Sequence, residues 1–156
     1  MHTTLLTQEE LSKLGVITPR RDPIRGTKKL GWRGTSYDAQ VGTIVTRSGL
    51  HRERSYILRP REIVWVISDE YYSLPNNITG LTTNKTTLTK QGILALTTGV
   101  VDPNYSGPLS TALINFSGTN VPIKIGMPFF RTKFFMHNET NEKAVSFSYE
   151  EYLDDV

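Results

Sequence analysis

Short apolar runs, rich in β-branched and aromatic residues and divided by turn signals, occupy most of this chain. Gln40 to Val45, Arg54 to Leu58, Glu62 to Ser68 and Thr79 to Thr82 each read as a strand. Ile93 to Thr97, Leu109 to Asn115, Val121 to Ile125 and Phe129 to Phe135 complete the set. Turns are expected at Leu74-Pro75-Asn76-Asn77, at Pro103-Asn104 and at Ser117-Gly118-Thr119-Asn120. Many short strands at this spacing predict an all-β sandwich or barrel. One helix interrupts the pattern. Thr7-Gln8-Glu9-Glu10 forms a capping box, Leu11 and Leu14 share a face, and Gly15 is a stop, which predicts a helix over 8–14. Residues 18 to 34 hold Gly and Pro breaks and many charges and read as a loop.

The turn that carries most chemistry is Gly99-Val100-Val101-Asp102-Pro103-Asn104-Tyr105-Ser106-Gly107-Pro108. Gly, Pro and Asn set the unusual φ angles of a tight turn, so the flanking runs are expected to pair as a hairpin. Its mouth would place one carboxylate and one aromatic ring beside exposed backbone N–H and C=O groups. The same residues also fit an ordinary surface turn.

Composition narrows the class. The 156 residues suit a single domain, with a core over about 35–135, an N-terminal helix and basic loop over 5–34, and an acidic tail over 140–156. With 37% hydrophobic residues, disorder is excluded as the general state. The absence of Cys removes disulfides, zinc-thiolate sites and Cys nucleophiles. No apolar run approaches the length of a membrane span and no signal-peptide pattern follows Met1, so a cytoplasmic protein without membrane contact is expected.

The net charge of +3 is unevenly placed. Arg20, Arg21, Arg25, Lys28, Lys29 and Arg33 face only Asp22, while Glu150, Glu151, Asp154 and Asp155 close the chain. A basic half suits a polyphosphate nucleotide or a solvated surface. Nucleic acid is a poorer fit, because no helix-turn-helix, zinc-finger or RNP-type pattern accompanies the charge. His2, His51 and His137 have no metal-type spacing and receive no role, and Trp32 and Trp65 read as core or subunit contacts.

Gly-Val-Val-Asp-x-x-Tyr-x-Gly resembles the third motif of the trimeric dUTP diphosphatase and dCTP deaminase superfamily. Ser36-Tyr37-Asp38 followed by Gly42 resembles its first motif. Asn84-Lys85-Thr86-Thr87-Leu88 and then Gly92 is similar to the second, normally Arg-Ser-Ser-Leu and Gly. Gly126-Met127 before the last long strand resembles the fourth. Four motifs in this order, over residues 5 to 135, imply a distorted jelly roll or β-barrel of the dUTPase-like type. They also imply a homotrimer and a deoxyribonucleoside triphosphate as ligand.

The resemblance further implies roles. Asp102 would orient the attacking water, and Tyr105 would pack on the deoxyribose, leaving a ribose 2′-hydroxyl no room. Gly99, Lys85, Thr86 and Thr87 would contact the nucleotide, and Arg131 would take over a phosphate contact. Asp38 would hold Mg2+ through water, unless it is a turn carboxylate capping a strand end. Lys85 in place of Arg keeps a cation but loses a bidentate fork. Where the deaminases carry a proton-shuttling Glu, this chain has Ala112, which cannot transfer a proton. The expected activity is therefore hydrolysis of dUTP to dUMP and pyrophosphate. dCTP deamination and a non-catalytic nucleotide-binding or interaction role are the alternatives. The tail lacks the Gly-rich fifth motif of most diphosphatases, so it is expected to pack away from the triphosphate, with an aromatic lid of Phe147, Tyr149 and Tyr152 on a neighbouring subunit as the alternative.

Overall fold

The computed structural model describes residues 3–19, 31–51, 55–96 and 99–155. The basic segment 20–30, Arg52, Glu53, Arg54, Thr97, Thr98 and His2 lie outside them. In chain order the elements are β1 (Thr4–Leu5), α1 (Gln8–Leu14), β2 (Ile17–Pro19), β3 (Trp32–Arg33), β4 (Ser36–Thr46), β5 (Gly49–His51), β6 (Ser55–Leu58) and β7 (Ile63–Ser68). There follow β8 (Glu70–Ser73), β9 (Ile78–Asn84), α2 (Thr86–Lys90), β10 (Ile93–Ala95), β11 (Val100–Val101) and β12 (Tyr105–Gly107). The last are β13 (Ser110–Asn115), β14 (Val121–Lys124), β15 (Pro128–Met136), β16 (Val145–Ser146) and α3 (Tyr149–Asp155).

The predicted capping box forms. The Thr7 hydroxyl accepts from the Glu10 amide at 3.3 Å, the Glu10 carboxylate accepts from Thr7 N–H at 3.1 Å, and Gly15 closes α1 in the left-handed region. Leu11 is the buried residue of this helix, and it anchors the N-terminus on a core of Leu6, Val16, Tyr72, Ile78 and Phe134.

The larger core lies under a sheet ordered β10-β13-β7-β4-β15-β9-β11 among the described residues. β4 joins its two halves. Its first part pairs with β15, its second with β7, and the register slips between Val41 and Thr43. Gly42 sits at that slip, where a Cβ would come within 2.7 Å of the Asp69 backbone. This close approach explains why a glycine follows Ser36-Tyr37-Asp38. Val41, Ile44, Val64, Leu113, Phe129 and Phe130 fill the space beneath.

The expected hairpin does not form. β11 pairs with β9, whereas β13 pairs with β7 and β10. Between them the chain leaves the sheet: Tyr105 N–H closes a turn on the Asp102 carbonyl at 3.3 Å, with Asn104 at φ 63°. It then adds β12 to a second sheet, β16-β12-β8-β2. Pro103 and Pro108 lack the N–H groups a continuous ladder would need. The loop expected over 18–34 also begins and ends in strand, at β2 and β3.

Candidate functional site

Two groups of predicted residues are assembled, on different faces of the sheet. The first surrounds the turn after β11. A cavity of about 300 Å³ is lined by Thr82, Val101, Asp102, Tyr105, Ser110 and Phe130, together with residues of the tail. Asp102 is exposed at its edge, and Gly99, at φ 86°, accepts the Thr82 amide at 2.8 Å just before Val100 reaches the wall. The Tyr105 hydroxyl donates to the Pro108 carbonyl, which folds the ring back over Gly107. Burial, with Tyr152 and Tyr71 nearby, pushes the Tyr105 pKa up, so the ring stays neutral.

A Cβ on Gly107 would approach the Tyr105 hydroxyl to 2.7 Å. Gly107→Ala is therefore expected to displace the ring and to cost about 1–3 kcal/mol of stability by overpacking. Urea denaturation checks this; an unchanged midpoint would mean the ring has room to move.

The tail does not pack away from this cavity. β16 runs parallel to β12, Phe147 N–H donates to the Ser106 carbonyl at 2.8 Å, and the Asn104 amide holds the Glu142 carbonyl at 2.8 Å. Glu142, Lys143, Val145 and Tyr152 line one wall, and the Tyr152 and Ser110 hydroxyls are hydrogen-bonded. Leu153 of α3 packs on Val45 and Ile67 beside it. Sequence context gives Ser110 and Glu142 no part in the site. The aromatic residues of the tail carried the available signal, since Phe147 and Tyr152 meet edge to face at 5.8 Å and hold the segment together.

The second group centres on Asp38, 3% exposed. Register puts it opposite Arg131 across β4 and β15. Arg131 Nε donates to Oδ1 at 2.9 Å, Lys85 Nζ to Oδ2 at 2.6 Å and Arg33 Nε to Oδ2 at 3.1 Å. Burial works against the charged carboxylate, but Arg131, Lys85 and Arg33 outweigh it and hold its pKa below the ordinary value. Thr86 and Thr87 follow Lys85 as exposed residues opening α2, a helix the Thr-rich sequence did not predict. Arg33, read within the basic loop, is the missed member of the group.

The groups do not meet within one chain. Phe130 reaches the cavity and successive strand residues face opposite ways, so Arg131 points from the other face. Ala112 lies in neither group: it lines an apolar groove with Val45, Ile63, Trp65 and Leu96.

A water-held magnesium ion at Asp38 does not fit these residues. Both carboxylate oxygens already accept from cations, and a divalent ion there would face three positive groups at close range. Magnesium takes oxygen donors in near-octahedral order. Among the described residues, no cluster of three or more His, Asp or Glu is arranged to supply them. No described helix is long and apolar enough to cross a membrane.

Known proteins share this chain's pattern. A dCTP deaminase-like family model matches residues 15–137. The dCTP deaminase of Pyrococcus horikoshii is 28% identical over 118 residues, covering 73% of this chain and 75% of that protein. A solved dCTP deaminase from Agrobacterium tumefaciens superposes with TM-score 0.70 at 13% identity, over 87% of this chain and 49% of that one. A mutant dUTPase from phage phi11 of S. aureus, described with a structural Mg(II) ion, superposes with TM-score 0.53 at 16% identity, over 93% of this chain and 97% of its own. This chain thus spans about half the length of the Agrobacterium enzyme. The two solved structures share the dUTPase-like β fold, and with most of its length matched the chain belongs to the dCTP deaminase-like family.

Proposed function

We propose that this protein hydrolyses dUTP to dUMP and pyrophosphate by in-line attack of water at the α-phosphorus. The observation that carries the reading is the cavity where Asp102 stands beside the fixed ring of Tyr105. Asp102 orients and polarises the water. Tyr105 packs on the deoxyribose, and Lys85, Arg131 and Arg33 neutralise charge on the phosphate oxygens. The cations and the cavity open on different faces, so a complete site is shared between subunits of a homotrimer. A solution mass at micromolar concentration is expected to be three times that of the chain; a monomer with full activity would refute shared sites.

A second reading, dCTP deamination, is favoured by the relatives' names and by Glu142 on the cavity wall. Against it stands the lack of a carboxylate on β13: Ser110 lines the cavity but cannot transfer protons as a carboxylate does, and Ala112 lies outside it in the apolar groove. Assays of dUTP, UTP and dCTP separate the two. Pyrophosphate from dUTP with little from UTP is the expected result. Ammonia from dCTP at a comparable rate, abolished in Glu142→Gln, would transfer the assignment to the deaminase.

The tail wall is open to test in the same assay. Removing residues 142–156 strips one side of the cavity and the Tyr152–Ser110 contact. It is expected to raise KM about tenfold or more, the loss of roughly 1.4 kcal/mol of binding, with a smaller effect on kcat. Unchanged KM would show that the wall does not touch the ligand.

A further inference from the structure

We infer that the phosphate half of this site needs no divalent ion: Arg33 and Arg131, gathered with the buried Lys85 around the Asp38 carboxylate, take an oligophosphate anion directly, and Lys85 adds its charge from beneath. The inference rests on the reading of the protein as a nucleotide enzyme and states what its site demands of the ligand. Three cations share one carboxylate, so the cluster keeps an excess of positive charge. Asp38 and the Lys85 ammonium are sealed from solvent, but the side chains of Arg33 and Arg131 are 51% and 37% exposed. An anion reaching the surface therefore meets guanidinium edges, whose forked donors match phosphate oxygens. Lys133 stands two residues further along the same face of β15, its Nζ held at 3.1 Å by the Thr35 hydroxyl, and extends the positive field.

In this arrangement Asp38 is a positioning residue. Without it the three cations repel one another and none has a reason to stay at its present angle. Its role can be told from that of a metal ligand by a simple consequence. A general electrostatic effect makes Asp38→Asn bind anions more tightly, because a negative charge is removed. Loss of an organised cluster makes the same variant bind more weakly.

The test is calorimetric titration of the full chain with inorganic tripolyphosphate and with a non-hydrolysable dUTP analogue, each in magnesium and in EDTA. Tripolyphosphate affinity in EDTA is expected to equal or exceed that in magnesium, since the free anion carries more charge. Asp38→Asn is expected to weaken it by about tenfold, a change of roughly 1.4 kcal/mol. Arg33→Met, at a half-exposed position that leaves the fold intact, should weaken it by a smaller factor. Binding of either ligand only with magnesium, or tighter binding by Asp38→Asn, would overturn the inference while leaving the nucleotide reading in place. Metal-free binding of tripolyphosphate with no binding of the dUTP analogue would do the reverse.

Discussion

Asp102→Asn is expected to lower the rate of dUTP hydrolysis by about two to four orders of magnitude, the usual contribution of a positioned acid–base group. Nucleotide affinity should stay close to that of the wild type. The amide has the shape of the carboxylate, and the backbone that sets the turn is untouched: the Asp102 carbonyl still accepts the Tyr105 amide and Asn104 still takes the left-handed conformation. What disappears is the negative charge that polarises water at the cavity edge. A loss confined to kcat identifies an interaction made in the transition state, whereas an equal rise in KM would place Asp102 in binding instead. Steady-state kinetics with calorimetric binding of a non-hydrolysable analogue distinguishes them. Full turnover by the variant would remove Asp102 from the mechanism.

The sequence made part of this site visible because part of it is local. Asp102, Asn104, Tyr105 and Gly107 lie within one turn, and their residue types declare an irregular, closely packed backbone. The same is true of α1, whose cap and stop are spaced as helix geometry requires. The Asp38 cluster is not local. Asp38 and Arg131 are 93 residues apart and meet because β4 and β15 pair in one register. Arg33 joins them through β3, in a stretch whose many charges suggested only a loop.

The elements that escaped prediction have physical reasons as well. α2 is rich in β-branched Thr, a poor helix former, and its N-cap Lys85 makes no side-chain cap; burial of Leu88 holds it in place. β8 follows β7 after one residue, so a single run hides a change of sheet, made at the tight contact between Gly42 and Asp69. α3 is largely acidic, and only Leu153 with its neighbour Tyr152 forms a face that it buries.

That change of sheet also places a carboxyl where water does not reach, with a consequence for stability. Glu70 opens β8 at 2% exposure. Its oxygens accept the Tyr37 hydroxyl at 3.1 Å and the Gln40 amide at 3.0 Å, both neutral donors. Burial, against those hydrogen bonds and reinforced by the Asp69 charge beside it, pushes its pKa up to about 7 from 4.5. A raised carboxyl pKa means that the folded chain holds a proton which the unfolded chain releases. Below pH 4.5 both states are protonated and nothing is lost. Between 4.5 and about 7 stability therefore falls as pH rises, reaching a deficit on the order of 3 kcal/mol that stays constant above that range. Asp38, with its depressed pKa, acts in the opposite sense and only at lower pH. Glu70→Gln keeps the size of the side chain and removes the titration. The variant is expected to match the wild type near pH 5 and to exceed it by roughly 1–3 kcal/mol at pH 8, the cost of an uncompensated buried charge less that of placing the new amide N–H groups. Urea denaturation of both proteins from pH 5 to pH 8 reads this difference directly. Parallel stability curves, with no gap opening as pH rises, would mean that Glu70 is ionised in the folded protein at little cost.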